Sequence, residues 1–119
     1  MSQQKKPSAE GLDALDANDT ELARKKFLLA TEEGDVTGYF MLGLMYEDGI
    51  GVDVDKVESA VWYKAGAELG STVCQCRLGC YYVNATNIEL NYAEAYKWFK
   101  KASEQNSGWA YFELGVMYE

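Results

Sequence analysis

Leu42-Gly43-Leu44-Met45-Tyr46-Glu47-Asp48-Gly49-Ile50-Gly51-Val52-Asp53-Val54-Asp55 is the stretch that decides the fold. It begins as the end of an apolar helix. Two glycines then open a loop by admitting positive φ. Asp55, with Glu58 three residues on, forms a capping box that starts another helix. Outward from this helix–loop–helix unit, its landmarks return at one interval. Leu42-Gly43, Leu78-Gly79 and Leu114-Gly115 are spaced by 36 residues, as are Tyr46, Tyr82 and Tyr118. Trp62 and Trp98, Phe27, Tyr63 and Phe99, and Asp19, Asp55 and Asn91 keep the same step. A fixed period of this length means stacked supersecondary units, each covering the apolar face of its neighbour.

The pattern predicts helices over 8–16, 20–33, 37–47, 56–69, 72–83, 92–105 and 107–119. The single proline, Pro7, lies outside all of them. Residues 1–7 read as a disordered start, followed by one solenoid domain over 8–119, with units at 8–34, 35–70, 71–106 and a partial one at 107–119. Gly34, Gly70 and Asn106, again in phase, suit the left-handed conformation that closes a helix, and Gly34-Asp35 is read as ending the second helix. A glycine inside a helix costs about 1 kcal/mol relative to alanine. Gly43, Gly79 and Gly115 therefore predict a close approach by the partner helix, whose Phe27, Tyr63 and Phe99 fill the gap. Ala30, Gly66 and Ala102 keep that contact tight. In the 48–54 loop, Val52 is placed as the apolar plug; the 84–90 loop keeps the length but loses both glycines.

Composition narrows the function. The chain has 119 residues, 48% of them hydrophobic, and a net charge of −8. The charge excess sits in residues 1–70, with 14 acidic groups against 7 basic ones. Phosphate backbones must be neutralised by Lys and Arg, so nucleic acid is a poor partner. No run approaches the roughly 20 apolar residues of a membrane span. Met1–Pro7 has no apolar stretch behind its lysines, so no signal peptide is read. Three cysteines, with Cys74 and Cys76 too close on one helix to pair, are read as reduced thiols in a cytoplasmic protein.

The motif Leu42-Gly43-x-x-Tyr46-x-x-Gly49-x-Gly51-Val52-x-x-Asp55, followed by Ala60-x-Trp62-Tyr63-Lys64 and Gly70, resembles the Sel-one-like repeat, a cousin of the tetratricopeptide repeat. Leu78-Gly79-x-x-Tyr82 with Asn91-Tyr92-x-Glu94-Ala95-x-Lys97-Trp98-Phe99-Lys100-Lys101-Ala102 is similar to it, and 107–119 matches the opening of another copy. The first pair, with Gly11, Asp19, Ala23, Phe27 and Ala30, looks more like a plain tetratricopeptide unit. The resemblance implies an all-α fold, a right-handed superhelix of antiparallel helix pairs. It also implies a non-catalytic adaptor that docks another protein or peptide on the concave face of its first helices. Carried onto this chain, that face is Thr37, Phe40, Leu44, Glu47 and Asp48, then Val73, Cys76, Cys80, Val83 and Asn84, then Trp109, Phe112, Val116 and Glu119. The competing reading makes Phe40, Cys76 and Phe112 inter-repeat core; Leu44, Cys80 and Val116 share that ambiguity.

Chemistry finds little support. There is no histidine, the commonest general base and metal ligand. Cys76 and Cys80 share a helix face, but a closed zinc site needs four ligands and a small buried thiol is the commoner outcome. The chain is read as non-enzymatic, with no cofactor and no metal. Arg24-Lys25-Lys26 and Lys97, Lys100 and Lys101 are read as a solvated convex face, Lys26 standing in the phase of Trp62 and Trp98. Two alternatives to the adaptor remain: an inhibitor or immunity-type binder of an enzyme, and a self-associating assembly unit using 107–119. The second predicts a homodimer that Trp109→Asp dissolves; wild-type protein sedimenting as a monomer at tens of micromolar would exclude it.

Overall fold

The computed structural model describes residues 5–84 and 91–105. These form six helices and, among the described residues, no strand: α1 (Pro7–Asp16), α2 (Thr20–Glu32), α3 (Val36–Asp48), α4 (Lys56–Glu68), α5 (Thr72–Asn84) and α6 (Tyr92–Glu104). Each end lies within one residue of the sequence expectation. Pro7 is inside the first turn of α1, where its missing N–H costs nothing. The predicted helix over 107–119 and its Leu114, Gly115, Trp109, Phe112, Val116, Tyr118 and Glu119 lie outside the described residues, as do Asn106 and most of the 84–90 loop.

The period is written into the caps. Asp19, Asp55 and Asn91 each accept an N–H three residues on, from Leu22, Glu58 and Glu94, at 3.0–3.1 Å. A second set alternates with it: Asp35 accepts from Thr37 at 3.0 Å and Ser71 Oγ from Cys74 at 3.3 Å. Asp35 therefore has two roles: its carboxylate opens α3, while its backbone N–H donates to Ala30 O at 3.0 Å and closes α2 beside Gly34 at φ 74°, as the Gly34-Asp35 reading expects. The loops close in phase too, with Asp55 N–H donating to Tyr46 O and Asn91 N–H to Tyr82 O. In the shorter first loop Asp19 N–H donates to Ala14 O.

Within each pair, an aromatic ring on the second helix lies against a glycine on the first. A Cβ on Gly11 would stand 2.6 Å from Phe27, on Gly43 2.5 Å from Tyr63, and on Gly79 2.6 Å from Phe99. All three rings are fully buried. The helical glycine penalty of about 1 kcal/mol is outweighed by burying a large side chain, worth roughly 1.5–3 kcal/mol.

Between pairs, small residues set the distance. Gly38 faces Ala30, and Gly66 faces Cys74, at 2.9 Å and 2.6 Å from the Cβ that each glycine lacks. Ala30 and Gly66 are in phase, as are Gly38 and Cys74. Each junction thus has one glycine, but on opposite helices. The same junctions satisfy a carbonyl in the last turn of the preceding helix: Tyr39 Oη donates to Thr31 O and Gln75 Nε2 to Ala67 O, both at 3.2 Å.

Two large core clusters follow among the described residues. One gathers Ala14, Ala23, Phe27, Met41, Leu42 and Met45; the other Ala60, Tyr63, Ala67, Cys74, Leu78, Tyr81 and Trp98. Trp62 packs against the first, and Trp98 belongs to the second. Lys26, in their phase, instead pairs with Glu10 at 3.3 Å. Ile50, not Val52, packs against the first cluster as the loop plug. On either side of it the loop needs its glycines: Gly49 and Gly51 hold φ 71° and 73°, and a Cβ on Gly51 would meet Thr20 at 2.5 Å.

Gly43→Ala and Gly79→Ala are expected to destabilise the protein by about 1–3 kcal/mol, the cost of overpacking, despite alanine's better helix propensity. Urea denaturation followed by circular dichroism measures this; an unchanged midpoint would remove the seam from its structural role.

Candidate partner-binding face

The face expected to bind a partner is carried by α3 and α5, which touch each other across one repeat. Its members separate into three kinds. Asp48, Val73 and Asn84 are exposed, with Val73 at 48%. Thr37, Phe40, Leu44, Glu47, Cys80 and Val83 are half-buried. Cys76 is buried and clusters with Ala102. Phe40 packs against both core clusters and Leu44 against the first. For Phe40, Leu44 and Cys76 the core reading thus accounts for much of the side chain. Trp109, Phe112 and Val116 lie outside the described residues.

At the centre of this face is a polar network. The Glu47 carboxylate accepts the Tyr63 hydroxyl proton at 2.7 Å and an Arg77 N–H at 3.4 Å. The Arg77 guanidinium lies 5.9 Å from the centroid of Phe40, whose ring stacks on Tyr63 at 6.2 Å. Tyr63 is 5.8 Å from Tyr81, and the Tyr81 hydroxyl shares a 2.9 Å hydrogen bond with Ser59 Oγ. Ser59 Oγ also lies 2.7 Å from Gly43 O, to which it donates. Glu47, expected as an open acidic contact, is therefore neutralised by its neighbours, and its side chain is only 18% exposed. Arg77 was not anticipated. It is a lone arginine out of phase with any repeat landmark, and only the stacking of α5 beside α3 gives it Glu47 and Phe40 as neighbours.

The electrostatics favour holding over reacting. Burial and the hydrogen bond to the Glu47 carboxylate push the Tyr63 phenol far above its ordinary value. Burial pushes Tyr81 up to about 12, against the opposing effect of Ser59. Burial also raises the Cys74 thiol, partly offset by the Ser71 hydroxyl. A thiol held protonated is a poor nucleophile. Among the described residues no group of three or more His, Cys, Asp or Glu is placed to hold a metal, and no helix is long and apolar enough to cross a membrane.

The stacked helix pairs, their ring-over-glycine seams and the exposed first-helix face define an α-helical repeat protein. The profile of the Sel1 repeat matches residues 36–71 and 72–107, more than half of the chain, and the chain belongs to that family. Solved structures agree. A Sel1 repeat protein from Oxalobacter formigenes has a TM-score of 0.86 and 29% identity over 92% of this chain and 45% of its own. The protein c5321, a protective antigen of uropathogenic Escherichia coli strains with an SLR fold, has a TM-score of 0.88 and 31% identity over 94% of this chain and 25% of its own. The chain thus spans less than half the length of either. No curated protein sequence matches it. Sel1 repeat proteins generally serve as scaffolds for protein–protein interaction, typically without catalysis.

The two phenols set the alkaline limit of stability. Each has a folded pKa above its unfolded value of about 10, so its contribution is complete below that pH. It is lost as pH rises and the unfolded chain ionises first. The urea midpoint of wild type is expected to fall between about pH 10 and 12. Tyr81→Phe should cost about 0.5–1.5 kcal/mol at neutral pH and make that fall shallower; a slope identical to wild type would disconnect Tyr81 from it.

Proposed function

We propose that the chain is a non-catalytic adaptor that docks another protein or peptide on the face formed by α3 and α5. One observation carries this reading: Asp48, Val73 and Asn84 stand exposed around a rigid network in which Arg77, Phe40, Glu47 and Tyr63 already satisfy one another. A pre-organised surface lowers the ordering cost of binding. The partner's apolar contacts would fall at Val73 and half-buried Leu44 and Val83, and a basic contact at Asp48. The scaffold role general to Sel1 repeat proteins supports the class of function. A cytoplasmic setting is part of the proposal and rests on the three thiols.

The structure changes the choice of test. Phe40→Asp or Leu44→Asp would damage packing as well as binding, since both side chains lie against the core. Val73→Glu with Asp48→Lys alters exposed positions and should leave the thermal melt within about 1 kcal/mol of wild type. In quantitative affinity purification, partners of the wild-type protein should be depleted several-fold with this double variant. Equal recovery by the two proteins would move the binding surface elsewhere.

A further inference from the structure

Lys64 and Glu68 of α4, with Glu94, Lys97 and Lys101 of α6, surround an open pocket of about 590 Å³, also lined by buried Trp98 and half-buried Tyr82. The lysines at 97 and 101 were expected on a solvated convex face, and both are exposed. Both ammonium groups also lie 5.0 Å from the Trp98 ring centroid, and Lys64, two helices earlier, lines the same pocket. Lys97 pairs with Glu94 at 3.8 Å. Lys64 and Lys101 make no ion pair among the described residues. On a chain of net charge −8, a concave pocket with two uncommitted ammonium groups is a local reversal of sign, and a concave site focuses such a field.

We propose that this pocket is a second docking site, separate from the α3–α5 face, that receives an acidic side chain of a protein partner together with an apolar neighbour. The charge complementarity fixes the sign of the guest. Lys97 is already paired with Glu94, so Lys64 and Lys101 are the ammonium groups left to meet the guest's carboxylate. Half-buried Tyr82 fixes the rest, offering aromatic surface in the same pocket, which suits a peptide and not a bare ion, while buried Trp98 backs the two lysines.

The test uses the full chain and a fluorescein-labelled hexapeptide alternating glutamate and leucine, followed by fluorescence anisotropy. Saturable binding is expected that weakens with added KCl and falls by at least about tenfold in Lys64→Ala/Lys101→Ala. Both lysines are exposed, so the fold should survive, which circular dichroism checks. The Val73→Glu/Asp48→Lys variant should bind the hexapeptide like wild type, since those positions lie outside the pocket. The proposal is overturned by any of three results: no saturable binding up to millimolar peptide, equal binding by the lysine variant, or loss of binding in the Val73→Glu/Asp48→Lys variant instead.

Discussion

An aromatic ring resting on bare backbone is the contact on which this protein depends. Phe27, Tyr63 and Phe99 occupy the space that a side chain on Gly11, Gly43 or Gly79 would take. The contact sets how closely the two helices of a pair can lie. That distance in turn decides whether the small residues at the next junction can meet. Because Ala30 meets Gly38 and Gly66 meets Cys74, the spacing within a pair and the spacing between pairs are mutually dependent. The exchange of glycine from one helix to the other between these two junctions shows that what is maintained is one glycine at each contact and not the helix that supplies it. Interiors packed to crystalline density impose that kind of constraint.

The same geometry produces the polar hub. Tyr63 is both the ring over Gly43 and the hydroxyl donor to Glu47, so packing and hydrogen bonding are fixed by one side chain. Its neighbours Ser59, on the same helix, and Tyr81 and Arg77, on α5, link α3, α4 and α5 into a unit. A fully satisfied buried network rigidifies the elements it joins. Here it leaves the surrounding exposed residues on a firm support. A scaffold needs such support, since any motion frozen on binding subtracts from affinity.

Much of this was legible beforehand, and the exceptions are instructive. Helix positions and the capping residues Asp19, Asp55 and Asn91 follow from local rules that act over three or four residues. Asp35 was read only as part of the end of α2, which its backbone N–H does close; its side chain also caps α3, a second role that the glycine signal masked. Ile50 and Val52 are both apolar and two apart, so pattern alone does not say which one turns inward; the positive φ of Gly49 and Gly51 does. Tyr39 and Gln75 perform the same task at successive junctions. Their side chains differ so much that no search for repeated letters connects them.

The amino-acid sequence by itself determined the period, the helix pairs and the seams, because caps, helical spacing and the Leu-Gly step are short-range or strictly recurrent. Only the tertiary structure decided which charges meet. Arg77 reaches Glu47 across 30 residues of chain, and Lys64 shares a pocket with Lys97 and Lys101, because stacking brings non-adjacent turns of different helices side by side. Coulombic contacts of this kind depend on distance in space and leave no periodic trace along the chain. The charge contacts of the network and the pocket were therefore the least visible in the sequence.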